Sequence, residues 1–505
     1  MKRPGVQSAN SWFILATLRS LAAVGNSPPH KGMIMTRRIG TCFQSPTALP
    51  GVLLAAALVL LSPAHAQTRP PLAGLSPFEQ AFLNYLTSTA TTTFCITQSD
   101  LGTSTTASSN CNVARAYAFA NTVTGSELRG VIPNQLSGEN SQFKDFAGGQ
   151  FHDLASRLSA IRAGASGFMI TAAPAADSGG ALVNRALAPP ILGGAASADE
   201  PPADFSRWGG FFNTTYDWGR RSATDSENAL NSNAYEFTLG TDYRVTRGLV
   251  VGGILGFAAD QLSFNDSSNI VGGTLQTKAY SLMLYAQQEW ENAYVSASVG
   301  DQTLHQRLTR EGTFDDPATS YSAPFRAAGS TSGQSVLAAL SAGYTAHFQA
   351  FSMEPYLSWQ YRNTHIDGFQ EHGASGTESD GFTNYDINMQ FASRSLASNQ
   401  GTVALKVQYV MTPSFGVLVP FLDAGFTHEF NESPYNVTGT FAGLYGSVPN
   451  FILEADKPSQ NFVNLAGGLT FVFKHGVQGY LRYRQVVDQR YVTDHAIGAG
   501  FRVEL

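Results

Sequence analysis

From about residue 207 onward, run after run of the chain alternates apolar and polar positions. In the last run Ile497, Ala499, Phe501, Val503 and Leu505 take every second place, with Gly498, Gly500, Arg502 and Glu504 between them. A period of two puts these sets on opposite faces of a strand. The same alternation sets Tyr356, Ser358, Gln360 and Arg362 against Pro355, Leu357, Trp359 and Tyr361. It sets Ala404, Lys406 and Gln408 against Val403, Leu405, Val407 and Tyr409. Asp423, Gly425, Thr427 and Glu429 alternate with Leu422, Ala424, Phe426 and His428, and Arg482 and Arg484 sit beside Leu481 and Tyr483.

About twelve such runs occur, roughly 25 residues apart, a spacing that suits a transmembrane barrel. They start near Trp208, Tyr235, Leu249, Leu275, Ala293, Val336, Glu354, Thr402, Phe415, Phe462, Val477 and Asp494. Tight links (Arg244–Arg247, Trp290–Asn292, Gln349–Ser352, Met411–Ser414, Lys474–Gly476) alternate with long polar ones, notably Gly219–Asn233, Glu311–Gly333, Glu371–Gln400 and Asn431–Gln460. Short turns on one side and long loops on the other are the signature of an outer-membrane barrel, periplasmic and extracellular respectively. A soluble sandwich has no reason to sort its loops this way. In the barrel the apolar face meets lipid and the polar face lines a wet lumen. The expected fold is mainly β, an antiparallel transmembrane barrel of about twelve strands over residues 205–505, preceded by a small helical segment and a linker. Arg362, Lys406, Asp423, Glu429, Arg482, Arg484, Arg502 and Glu504 are the expected lumen-facing charges, pairing across a narrow pore.

Residues 67–170 follow the helical period instead. Ser76, Pro77 and Glu79 read as N-cap, first helical residue and capping-box partner. Ala81, Phe82, Tyr85 and Leu86 then share a face, and Phe151, Leu154, Leu158 and Ile161 form an amphipathic stripe, read as packing between short helices. Residues 171–204, rich in Ala, Pro and Gly, read as a linker, threading the barrel or leading to it.

The N-terminus reads as a targeting segment. Arg37 and Arg38 precede the apolar run Gly51–Leu61, and Ala64-His65-Ala66 is a small-x-small cleavage site. The run is too short to span a bilayer, which takes about 20 residues. Residues 1–66 are therefore expected to be a signal peptide, with either an extended leader or a start at Met33 or Met35. Cys95 and Cys111 then remain as an even pair in an oxidising compartment and are read as one disulfide, worth about 3 kcal/mol by loop closure. Composition agrees: charged residues are only 13 %, against about 25 % in soluble proteins. Mean hydropathy is −0.09, too low for a helical membrane protein. A formal charge of −6 offers no basic stripe for nucleic acid.

Several motifs together resemble the C-terminal translocator of autotransporters, the type V secretion family. Trp208-Gly209-Gly210 opens the first strand, and Gly240-Thr241-Asp242-Tyr243 precedes the first periplasmic turn. Pro355 leads to Asp367-Gly368-Phe369 and Glu371-His372-Gly373; Ser395-Leu396, Pro420, His428-Glu429-Phe430 and Phe501-Arg502-Val503 follow. Upstream, Leu75-Ser76-Pro77-Phe78-Glu79-Gln80 looks like the helix start that follows the family's passenger, and Gln135-Leu136-Ser137-Gly138-Glu139 with Arg157-Leu158 looks like its pre-barrel segment. The resemblance covers about residues 72–505. It departs in two places. The family usually ends in Phe or Trp, where Leu505 stands here, so Phe501, Val503 and Leu505 are the expected assembly signal. No long passenger of glycine-rich repeats is present either.

The resemblance implies an outer-membrane β-domain that translocates or displays its own short N-terminal segment. Its partners would be outer-membrane lipid, the barrel-assembly machinery and periplasmic chaperones, with the chain a monomer. Two other readings are a surface adhesin or hydrolase acting through the long loops, and a passive porin-like channel. Some relatives display a serine esterase. No G-x-S-x-G elbow occurs here, Gly164-Ala165-Ser166-Gly167 has the wrong spacing, and no Gly-Asp-Ser-Leu occurs. His152 beside Asp153 reads as a solvated helix-face histidine. His365, His372 and Glu371 fit no metal spacing. Some relatives cut themselves at an Asn-Asn junction; the linker offers only Asn184, so the N-terminal segment is expected to stay attached. No catalysis, metal or cofactor is expected.

Overall fold

The structure, a computed structural model, describes residues 74–99, 105–120, 123–162, 208–265, 271–317, 319, 321–379, 383–414, 416–473 and 478–502. Ala64, Ala66, Val503, Glu504, Leu505 and residues 171–204 lie outside the described residues. Twelve long strands form the barrel: β1 (Trp208–Arg221), β2 (Ala229–Arg244), β3 (Leu249–Asn265), β4 (Val271–Trp290), β5 (Ala293–Asp315), β6 (Ser322–Tyr344), β7 (Phe351–Ile366), β8 (Arg394–Tyr409), β9 (Gly416–Glu429), β10 (Asn461–Phe473), β11 (Gln478–Val487) and β12 (Val492–Arg502). Each pairs antiparallel with the next, and β1 pairs with β12 (Phe212 opposite Phe501), so the sheet closes and leaves no edge.

The alternation sorts as lipid outside and polar groups inside. Leu239, Leu255, Leu284, Val299, Leu357, Leu422, Leu465, Leu481 and Ile497 are exposed on the outer face. Aromatic residues flank this band. Trp208, Trp290, Tyr344, Phe348 and Tyr409 are exposed toward the end where β1 begins and β12 ends, and Tyr235, Tyr280, Trp359 and Tyr483 toward the other. Such girdles mark the two membrane interfaces. The short turns lie at the first end and the long connections at the second, which makes the second end extracellular.

Two of the expected long loops are strand instead. The connection expected over Glu311–Gly333 shrinks to residues 316–321, because β5 and β6 run for 23 residues each. That expected over Gly219–Asn233 shrinks to residues 222–228. The period of two persists in these extensions, but its sense changes. In the lower part of β5, Val295 and Val299 are exposed while Ser296, Ser298 and Gln302 are buried. In the upper part Leu304 and Leu308 are buried, while Thr303, His305 and Arg307 are exposed. Above the membrane water replaces lipid outside, and the inner face packs on protein.

That protein is the N-terminal segment. Helices α1 (Pro77–Leu86), α2 (Thr89–Ser99), α3 (Thr106–Phe119) and α4 (Gly125–Val131) form a cap, and α5 (Gln135–Arg162) follows. Ser76 accepts from the Glu79 amide while Glu79 accepts from the Ser76 amide, a capping box that starts α1 after a positive-φ Gly74. Cys95 and Cys111 are joined by a disulfide that ties α2 to α3.

Candidate functional site

The barrel lumen is occupied by the chain's own helix. At its start, Gln135 donates to the Gly272 carbonyl at the extracellular end of β4 (3.1 Å); at its end, Arg162 donates to Gln287 (2.9 Å) and Glu354 (2.7 Å), near the short turns. Helix α5 therefore traverses the lumen from mouth to base. Its 28 residues, at about 1.5 Å rise each, are long enough for a hydrocarbon core of about 30 Å.

The stripe of Phe151, Leu154 and Leu158 is buried against Phe211, Val250, Ile254, Met283, Tyr285 and Leu337 of the inner wall. It packs on the barrel, not between short helices as the spacing alone implied. The reason is that the lumen wall itself carries an apolar patch on β1 to β6, which a helix-only reading does not see. On the helix's other side, Ser156 accepts from Arg482 (3.1 Å) and Ser159 from Lys406 (2.5 Å). Between the two faces run specific polar contacts. Arg157 donates through Nε to Asp242 (2.7 Å), Asp153 accepts from Thr238 (2.7 Å), and Gln150 accepts from Ser281 (2.6 Å). The Arg162 guanidinium also lies 3.7 Å from the Tyr294 ring centre. His152 is half-buried beside Arg482 and Arg484 inside the barrel, so it is not the solvated helix-face residue expected.

Side chains that reach across to glycines shape the fit. A Cβ on Gly149 would run into the Glu236 carboxylate, and one on Gly209 into Asp242 and Arg157. Glycines at these positions leave room for the carboxylates and the guanidinium that reach across between helix and wall. The Arg157–Asp242 pair is almost completely buried. Such a pair adds little net stability, but losing one partner strands the other charge. It joins α5 to β2 at one point along the lumen.

The other expected lumen charges fall into distinct roles. Asp423 accepts from the Tyr356 hydroxyl (3.1 Å) at the level of Lys406, its cross-strand partner. Arg484 bridges Asp217 (2.9 Å) and Asp494 (3.2 Å), tying β11 to β1 and β12. Glu429 is the last residue of β9. It accepts from Ser398 (2.6 Å) and from the Asn399 (2.9 Å) and Asn431 (3.0 Å) amides, organising the extracellular end of β8 and β9. Arg362 is buried and lies with Glu429 beside Tyr435. Arg502 lies in β12 opposite Gln478, and Phe501 is exposed on the lipid face. Sequence reasoning missed Asp217, Asp242, Arg162, Glu354 and Arg310. All except Arg162 stand at inward places of alternating runs, so a fuller count of the polar face would have found them.

Above the lumen, α1–α4 pack on the long connections. Phe82 and Tyr85 meet Phe441 and Phe451 edge to face or tilted, at 5.4 to 6.4 Å between ring centres. The Tyr85 hydroxyl lies 2.8 Å from Thr440 Oγ1, and the Asn110 side chain donates to the Asp386 carbonyl and accepts from the Gly443 amide. Arg310 on β5 donates to both Glu371 carboxylate oxygens (3.0 and 2.6 Å), to the Val131 carbonyl at the end of α4 (3.0 Å) and to the Ile387 carbonyl (2.9 Å). The Glu371 carboxylate is thus fully engaged by a guanidinium. Among the described residues, no group of His, Cys, Asp or Glu is placed to hold a metal ion.

The family model for the autotransporter β-domain matches residues 210–484. The chain belongs to the autotransporter β-domain family. The autotransporter barrel is an outer-membrane translocator unit of Gram-negative cells, and catalysis is not its own business. Lipase 1 of Photorhabdus luminescens is 21 % identical to the autotransporter over 245 residues, which is 48 % of this chain and 34 % of that protein. The chain thus spans about a third of the length of that curated relative. Among solved structures, the translocator domain of the autotransporter NalP from Neisseria meningitidis is similar with 15 % identity and a TM-score of 0.46, over 59 % of this chain and 89 % of that one. The transport unit of the autotransporter AIDA-I from Escherichia coli is similar with 14 % identity and a TM-score of 0.38, over 63 % and 95 %.

Proposed function

We propose that this autotransporter displays its own small N-terminal domain, the α1–α4 cap, on the cell surface and stays attached to it. The carrying observation is the continuous path from cap to lumen. The cap sits on the long extracellular connections, and α5 descends through the pore to the end where β1 begins. Residues 67–170 thus act as cargo and plug together, 171–204 as the link back to the barrel, 205–505 as the translocator, and 1–66 as the export signal. Delivery would use periplasmic chaperones and the barrel-assembly machinery, which would read Phe501, Val503 and Leu505, and the chain would work as a monomer.

The filled lumen argues against a passive channel. The long connections, the alternative seat of an adhesin or hydrolase, bury much of their apolar surface against the cap. Lipase 1 carries an enzymatic name, yet residues 74–134 of this chain hold no histidine for a serine triad. The cap is therefore read as a binding domain, not a hydrolase.

An epitope inserted between α2 and α3, at residues 100–104, tests the reading on whole cells. Antibody should label it on intact cells. Labelling only after permeabilisation would place the cap inside and overturn the proposal.

A further inference from the structure

The outer face of the barrel carries a pattern that neither plug nor cap explains. Along β4, Leu284, Leu282 and Tyr280 are successive outward residues, and all are exposed. Two positions further toward the extracellular end the outward residue is Lys278, and directly opposite it on β5 stands His305. Arg307 follows on β5, opposite Gln276. Lys278, His305 and Arg307 are all exposed. One such step along a strand is roughly 6.6 Å, so the three lie just above the aromatic girdle, at headgroup depth.

Basic side chains placed side by side across a ladder repel unless an anion joins them. The protein supplies none. Asp301, the outward carboxylate on the membrane side, accepts from Gln334 (2.8 Å), and Glu311, the next outward acid above, is held by Arg326 (3.3 Å). The His305 ring meets Ser332 Oγ (2.9 Å). Among the described residues, Lys278 and Arg307 have no carboxylate partner.

We propose that Lys278, His305 and Arg307 form a seat for the phosphate groups of a phosphorylated glycolipid of the outer leaflet. The charge is complementary, and the seat continues the lipid-facing band without a break. A lipid whose chains lie along Leu282 and Leu284 brings its headgroup to this height. Two hydrogen-bonding cations and an imidazole can hold one or two phosphates at once. The inference rests on the outer-membrane placement of the barrel.

The test is the affinity of the detergent-solubilised full chain for fluorescent lipid A, against the Lys278→Gln/Arg307→Gln double variant and a control, Arg247→Gln, in the exposed short turn between β2 and β3 at the far end of the barrel. Heat-modifiable gel mobility, read first, reports whether each protein is a folded barrel. Its loss in the wild type would sink the barrel reading itself, and the seat with it. With folded proteins, the double variant should bind lipid A roughly thirtyfold more weakly, and Arg247→Gln as the wild type does. Dephosphorylated lipid A should bind the wild type as weakly as lipid A binds the double variant. Inorganic phosphate at lipid A's concentration should not displace it. Equal affinity of wild type and double variant, indifference to the phosphates, or displacement by inorganic phosphate would each overturn the proposal.

Discussion

Arg310 and Glu371, 61 residues apart in sequence, face each other through two hydrogen bonds with both side chains only 1 % exposed. The same guanidinium reaches the Val131 carbonyl, so one side chain joins β5, the connection after β7 and the last turn of the cap. A buried pair of this kind resists the loss of either member, because the survivor is left charged and dry. Arg310→Met should loosen the cap by about 3–5 kcal/mol, read as faster proteolysis of residues 74–134 at unchanged barrel mobility. Adding Glu371→Leu should recover much of the loss. A double variant as sensitive as the single one would show that the pair is not the joint.

The disulfide gives a second hold on the cap. Cys95 and Cys111 lie 16 residues apart, and removing such a crosslink lowers stability by about 3 kcal/mol in the loop-entropy account. Cys95→Ala/Cys111→Ala should lower the melting temperature of the cap, followed by helix circular dichroism, and leave the strand signal in place. An unchanged cap transition would count against it.

The seat of α5 is tested at Gly149. A side chain there collides with the Glu236 carboxylate, and overpacking of this kind costs about 1–3 kcal/mol. Gly149→Leu should unseat the helix in part and raise the exchange rate of backbone amides in residues 149–162. Gly253, opposite the exposed Leu284 on the lipid face of β3, where a Cβ meets only ordinary contacts, serves as the control position. Equal exchange in the Gly149 variant and the wild type would refute the close fit.

Outside the membrane, the connection between β1 and β2 should be pH-sensitive. Burial pushes the Glu227 carboxyl up from 4.5 to about 7, with Arg221 opposing and Asp456 adding repulsion. The folded state holds the proton more tightly than the unfolded chain. The group's contribution is therefore complete below about pH 4.5 and is lost as pH rises through about 7, by up to about 3 kcal/mol. Cleavage of residues 222–228 by a pH-tolerant protease should accelerate over that range, and Glu227→Gln should flatten the profile. A variant that keeps the full slope would assign the effect elsewhere.

The barrel was legible because lipid and water impose opposite demands on successive residues, and Leu422, Asp423, Leu481 and Arg482 obey them. Where the surroundings change, legibility fails. Above the girdle Phe314, Phe325 and Ala327 turn inward and Glu311 and Arg326 outward, so a reader seeking outward apolar residues takes strand for loop. The stripe of Phe151, Leu154 and Leu158 identified a helix but not its partner, since the matching patch is scattered over Phe211, Val250, Met283 and Leu337. The alternation places Arg310 on the inner face, but its role was not legible, because its partners Glu371, Val131 and Ile387 come together only when the cap, β5 and a loop meet.

Single-channel conductance in planar bilayers asks most directly whether α5 fills the pore. The full chain should be nearly closed, and a variant lacking residues 135–162 should open to a steady current. A full chain that already conducts as freely as the deletion would mean that the helix does not stand in the lumen.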